Sequence, residues 1–140
     1  MNFKDTKTPG AIACLAAVVL AGAAVAAVAG PPSLAGSEWG YRLEAGKTDR
    51  RFVRFDASGG VFGNGGCNSF RGSYAQTGND ITISQLATTR KACPEPIMAN
   101  EMAFLAALAN ARSVEMTHLK LVLLDADGTE LLSLARRDWD

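Results

Sequence analysis

The run Gly63-Asn64-Gly65-Gly66-Cys67-Asn68 holds the residues most suited to unusual backbone chemistry. A glycine-rich loop can cradle a phosphate with its amides. That use needs a Lys-Ser/Thr pair opening a helix, and neither is present. A dinucleotide fingerprint fails as well, because Asn68 stands where its last glycine belongs. The run is therefore expected to be a tight bend, where the backbone takes a positive φ or a neighbouring element comes very close.

Cys67, inside this run, and Cys93 offer two chemistries. A nucleophilic thiol needs a base, and the single histidine, His118, lies in another region with no nucleophile signature around it. In an oxidising compartment the two thiols instead pair, tying the glycine run to the start of the helix that follows Cys93. Glu101 is the other candidate. On a helical wheel it falls between Leu105 and Leu108, near Ile97, and a carboxylate on an apolar face is costly unless it is hydrogen-bonded or paired. One reading is an acid of raised pKa. The other is a structural carboxylate held by Arg90, by Arg71 or by the amides of the glycine run. A lone acid without a second acid or a base is poor catalytic machinery, so the structural role is favoured and no catalytic residue is assigned. Asp125-Ala126-Asp127-Gly128 hints at calcium, but the glycine comes too early and no closing glutamate follows. It reads as a turn between strands. No metal and no cofactor are expected.

These residues need elements to position them. Short apolar stretches alternate with turn signals: Trp39–Leu43, Arg51–Phe55, Val61–Gly63, Asn68–Tyr74 and Ile81–Ile83, then Leu119–Leu124 and Glu130–Leu134. Between them, residues 95–111 are rich in Ala, Leu and Met and predict one helix opened by proline. Ile97, Phe104, Leu105 and Leu108 share one side of it, and Ala99, Ala103, Ala106 and Ala107 leave room for a close-packed sheet. The expected fold is α+β, mainly β: a curved antiparallel sheet or partly open barrel with one packed α-helix. Thr88–Lys91 reads as a solvated connection, and the tail 136–140 as frayed.

The chain has 140 residues, 14 Lys+Arg against 14 Asp+Glu, one His and 7% aromatic residues. One domain fits that length. Zero net charge and few aromatics argue against nucleic acid as a partner. Residues 1–29 have a short basic region with Lys4 and Lys7, an uncharged apolar run at 11–29, and Ala27-Val28-Ala29 before Gly30. That is the layout of a signal peptide, with an uncleaved membrane anchor as its rival. Cys14 opens the apolar run and does not follow it, which argues against a lipidated amino terminus. Residues 30–36 read as a linker and 37–135 as the domain. The expected location is periplasmic or secreted, or the inner membrane if the anchor is retained.

Gly65-Gly66-Cys67-Asn68-Ser69-Phe70, Gly72-Ser73-Tyr74 and Thr89-Arg90-Lys91-Ala92-Cys93-Pro94, with Trp39, Glu101, Phe104–Leu108 and Leu119–Gly128, resemble the META domain, whose bacterial members include HslJ-like envelope proteins. The resemblance implies a small β-rich domain with a helix, in envelope or secreted proteins linked to heat or antibiotic stress. It also implies a fold similar to secretion pilot proteins, which hold an acyl chain in a cracked barrel. It carries over structural positions alone: Cys67 with Cys93, Asn68 in the bend, and Glu101 on the helix. The expected function is a non-catalytic exported accessory protein, a monomer acting on an unknown envelope partner. The alternative is a carrier holding a lipid tail or apolar peptide in the space between helix and sheet.

Overall fold

The computed structural model describes Gly10 and residues 30–42 and 49–137. Apart from Gly10, the expected signal peptide or anchor lies outside the described residues, as do Leu43 and the tail positions 138–140. Among the described residues no helix is long and apolar enough to cross a membrane.

Among the described residues nine strands and one helix follow in order: β1 (Ser37–Gly40), β2 (Phe52–Phe55), β3 (Gly60–Asn64), β4 (Ser69–Thr77), β5 (Asp80–Ile83), β6 (Ala87–Thr88), α1 (Glu95–Asn110), β7 (Ser113–Met116), β8 (Lys120–Leu124) and β9 (Glu130–Arg136). The strands form one antiparallel sheet in the order β3-β2-β1-β9-β8-β7-β5-β4-β6. A further β3–β4 pairing brings the row back on itself, so the curved sheet is ring-like. Its narrowest join is β5–β7, where Asp80 opposite Ser113 is the register pair.

Alternation builds the strands. In β2 Val53 and Phe55 point inward while Arg54 is exposed, and in β5 Ile81 and Ile83 are buried between exposed neighbours. Turns fall where glycine takes a left-handed backbone, as at Gly59 and Gly128 (φ 92° and 80°). Asp125 closes the β8–β9 turn by accepting from the Asp127 and Thr129 amides at 2.9 Å each, so the acidic run is a turn, as expected.

α1 lays Glu101, Phe104, Ala107 and Leu108 against the sheet. Phe104 meets Phe70 at 6.2 Å and Tyr41 at 6.0 Å between ring centroids. Trp39, Phe55, Leu121 and Leu123 fill the interior beside them, all fully buried. Each such side chain contributes about 1.5–3 kcal/mol by leaving water. The Trp39 indole N–H donates to the Ser37 hydroxyl at 2.7 Å, which donates to the Leu34 carbonyl, so the buried polar atoms are satisfied in series.

Several expectations need correction. Ile97 is 40% exposed, because the first turn of α1 overhangs the glycine run at the end of the sheet. Ala99, Ala103 and Ala106 face solvent, leaving Ala107 as the small buried contact. β7 is hidden by its composition: SVEM has one fully buried apolar residue, Val114, with Met116 partly buried beside the core, and is held by four register pairs to β8. His118 is exposed within the Thr117–Lys120 turn of that hairpin. Thr88, the first residue of the expected solvated connection, ends the short strand β6, and residues 88–91 are all exposed, as expected. Residues 34–36 are domain and not linker: Leu34 is fully buried, and its amide donates to the Gln76 side chain at 3.0 Å. The tail begins later than expected. Arg136 ends β9, and the Arg137 amide donates to the Glu38 carbonyl at 2.9 Å.

Leu34→Ala should lower unfolding free energy in urea by about 2–5 kcal/mol, the cost of a buried cavity. A change within about 0.5 kcal/mol would show that this segment does not belong to the core.

Candidate functional site

The glycine run leaves β3 and re-enters the sheet at β4, directly under α1. Gly65 donates its amide to the Asn68 carbonyl at 2.8 Å, and Gly66 donates to the Asn64 side chain at 2.7 Å. This tight bend turns the Cys67 and Asn68 amides toward the helix. The Glu101 carboxylate, 4% exposed, fills the space they face. Its Oε2 accepts from the Cys67 amide at 2.9 Å and the Asn68 amide at 2.6 Å. Its Oε1 accepts from Asn68 Nδ2 at 2.7 Å. A Cβ on Gly65 would sit 2.6 Å from Glu101 Cγ, so close approach demands glycine there.

Of the three holders considered for Glu101, the loop amides are the ones that hold it. Arg71 and Arg90 are both exposed, and the carboxylate's partners all come from Cys67 and Asn68. Burial pushes the carboxyl pKa up, but the hydrogen bonds from Asn68 and Cys67 outweigh it and leave it below its ordinary value. That is the opposite of a raised-pKa general acid.

Asn68 stitches a third segment to the cluster. Its Oδ1 accepts from the Lys91 amide at 2.6 Å and the Thr89 hydroxyl at 2.9 Å, and its Nδ2 also reaches the Lys91 carbonyl at 3.2 Å. Two residues on, Cys93 is bonded to Cys67, with Cα atoms 6.1 Å apart. Loop, strap 87–93 and helix are thus joined at one place. Among the described residues no group of three or more His, Cys, Asp or Glu could hold a metal ion.

A second feature went unread in the sequence. An open groove of 580 Å³ crosses β2, β3, β4 and β6, lined by Phe52, Phe62, Phe70, Arg71 and Thr88 among others. Strict alternation through Val61-Phe62-Gly63 was the signal: it puts Val61 and Gly63 inside and Phe62, 40% exposed, outside.

Cys93→Ser removes a cross-link spanning 26 positions and should cost about 3.5 kcal/mol of stability on chain entropy. Titration of the denatured, unreduced protein should find neither Cys67 nor Cys93 as a free thiol. Glu101→Gln should cost about 1–3 kcal/mol near neutral pH, because an amide presents donors to donors. The lowered pKa fixes the sign with acid. The carboxylate's contribution is complete above 4.5, its ordinary value, and is lost as pH falls through the depressed folded value. Urea midpoints measured down the acid range should therefore fall more steeply for the native chain than for Glu101→Gln.

The family comparison agrees with this architecture. The META domain model matches residues 32–138. No curated protein matches the chain. Three solved structures share the fold at low sequence identity. A protein from Burkholderia xenovorans, solved by NMR, is 24% identical with a TM-score of 0.60 over 75% of this chain and 84% of that one. Another NMR structure is 22% identical with a TM-score of 0.54 over 74% and 90%. A DUF4847 family protein from Bacteroides vulgatus is 19% identical with a TM-score of 0.51, over 64% of this chain and 60% of its own length. With the family model spanning the whole ring-like sheet, its helix and the Glu101 cluster between them, the chain belongs to the META domain family.

Proposed function

We propose that this META domain is a non-catalytic protein of the cell envelope or the extracellular space, acting through binding to an envelope partner. The observation that carries this reading is the commitment of the buried acid. Every hydrogen bond to Glu101 comes from the loop it fastens, its pKa is lowered, and the neighbouring sulfurs are bonded to each other. A general acid needs a proton near working pH, and a nucleophile needs a free thiolate. The cluster offers neither. The disulfide supports an oxidising compartment, consistent with residues 1–29 acting as an export signal.

The carrier reading has its own observation, with a change of place. The space between helix and sheet is filled by Phe104, Leu108, Trp39 and Phe55. Apolar surface is available instead in the groove on the sheet. A bound lipid tail or apolar peptide would lie there, outside the core.

Fractionation of cells making the untruncated chain, with amino-terminal sequencing, tests the export reading. The expected product begins at or near Gly30 in the periplasmic or secreted fraction, with Cys67 and Cys93 oxidised. A reduced chain confined to the cytosol would overturn it. Folded, exported Glu101→Gln protein should cross-link to the same envelope partners as the native chain. Loss of those cross-links at retained fold would return Glu101 to a functional role.

A further inference from the structure

The outward face of β2–β3–β4 carries a cross-strand row. Arg54 is opposite Phe62 in the β2–β3 register, and Phe62 is opposite Arg71 in the β3–β4 register. Directly opposed residues in antiparallel strands share a face, so an exposed phenylalanine is flanked by two guanidinium groups. The Arg54 guanidinium lies 5.8 Å from the Phe62 ring centre. Arg54 and Arg71 are exposed, and the ion pairs among the described residues are made by other arginines, Arg51 and Arg137. Asp56 attracts Arg54 electrostatically, while its carboxylate accepts from the Ser58 hydroxyl and amide.

The groove begins at this row. Its lining holds one charge, the Arg71 cation, and no carboxylate. Phe52 extends the apolar floor at one end, and the strap residues Ala87, Thr88 and Thr89 form the far wall. Ser69 and Thr88 add hydroxyl groups along the path. Crossing four neighbouring strands spans three interstrand spacings, about 14 Å, which is the reach of about four extended residues. A free amphiphile binds best where most of its surface is enclosed. Here the wall residues Ala87, Thr88 and Thr89 are exposed, so the groove covers one side of its occupant and leaves the other for a larger body. Aromatic rings bordered by arginine are also the groups that dominate protein–protein contacts.

We propose that this groove docks an extended acidic-apolar segment of a partner protein, its apolar side chains on Phe62 and Phe52 and its carboxylate on Arg71. The assignment deepens the binding reading above and rests on it. Apolar contact supplies the affinity, and the exposed arginines select against basic segments. The strap that forms the far wall is held by Asn68 and by the Cys67–Cys93 bond, so the groove is shaped by the same joint that buries Glu101.

The test uses oxidised protein and two labelled peptides, Asp-Leu-Phe-Leu-Asp and Lys-Leu-Phe-Leu-Lys, followed by fluorescence anisotropy at moderate salt. The acidic peptide should bind at least about tenfold more tightly than the basic one. Phe62→Ser should weaken it at least about tenfold, and Arg71→Glu should reverse the peptide preference. Both positions are exposed, so the variants are expected to keep the native melting temperature. Equal binding of the two peptides, or binding indifferent to both substitutions, would overturn the proposal. So would dodecanoate binding that Phe62→Ser abolishes while neither peptide binds, which would assign the groove to a lipid. Any of these outcomes leaves the non-catalytic reading to be decided separately by fractionation and by Glu101→Gln cross-linking.

Discussion

A carboxylate taken out of water loses several kcal/mol of hydration, and the protein must return that loss through directed donors. At Glu101 the donors are two consecutive backbone amides and one side-chain amide, all aimed at the same two oxygens. Hydrogen bonds to a charged acceptor are about twice as strong as neutral ones. The arrangement needs a group that only accepts, which is why glutamate stands there amid otherwise apolar neighbours. Consecutive backbone amides bent into one concavity are an anion site by construction. Here the helix supplies the anion from its own side chain, so the site is consumed in holding the fold together.

The neighbouring sequence follows from that joint. Gly65 is set by the approach of Glu101, since any β-carbon there collides with the acid's own side chain. Asn68 must donate to the carboxylate and accept from the strap, and an amide is the short side chain with both functions. Pro94 precedes α1 without a side-chain cap, so the helix start is secured by its neighbour Cys93 and by the buried acid further along the helix. β4 then begins at Ser69 with its direction already fixed. Its first half pairs with β3 and β6, and its second half with β5.

The parts of this joint were legible because residue type marks them. Glycines crowded before a cysteine, a second cysteine before a proline-led helix, and an acid on an apolar helix face each imply a specific need. What held the acid was not legible. Backbone amides carry no signature in residue type, so Arg71, Arg90 and the loop stood as equals until the coordinates separated them. β7 was lost for a related reason: its stability comes from pairing with β8, and among its four residues Val114 alone is fully buried. Leu34 sat behind two prolines that read as a linker, although two residues beyond them the chain is already core. Val61–Gly63 reads as a strand, but composition does not say which face Phe62 occupies, and alternation puts it outside.

That outward ring belongs to a part of the surface that stability does not explain. An exposed cross-strand pair involving an aromatic ring contributes about 0.2–1 kcal/mol, and an exposed cation–π contact about 0.5–1 kcal/mol. Covering a phenylalanine fully is worth about 1.5–3 kcal/mol, and the 40% of Phe62 left in water forgoes a share of that. The structural gain from the Arg54–Phe62–Arg71 row and the apolar surface it leaves uncovered are therefore of similar size. A polar side chain at position 62 would serve the isolated fold about as well, and the two exposed cations in the row add a measure of mutual repulsion to the comparison. The balance shifts when another surface covers the ring and places carboxylates against the guanidinium groups. The row then gains burial and charge pairing together, and both gains belong to a complex.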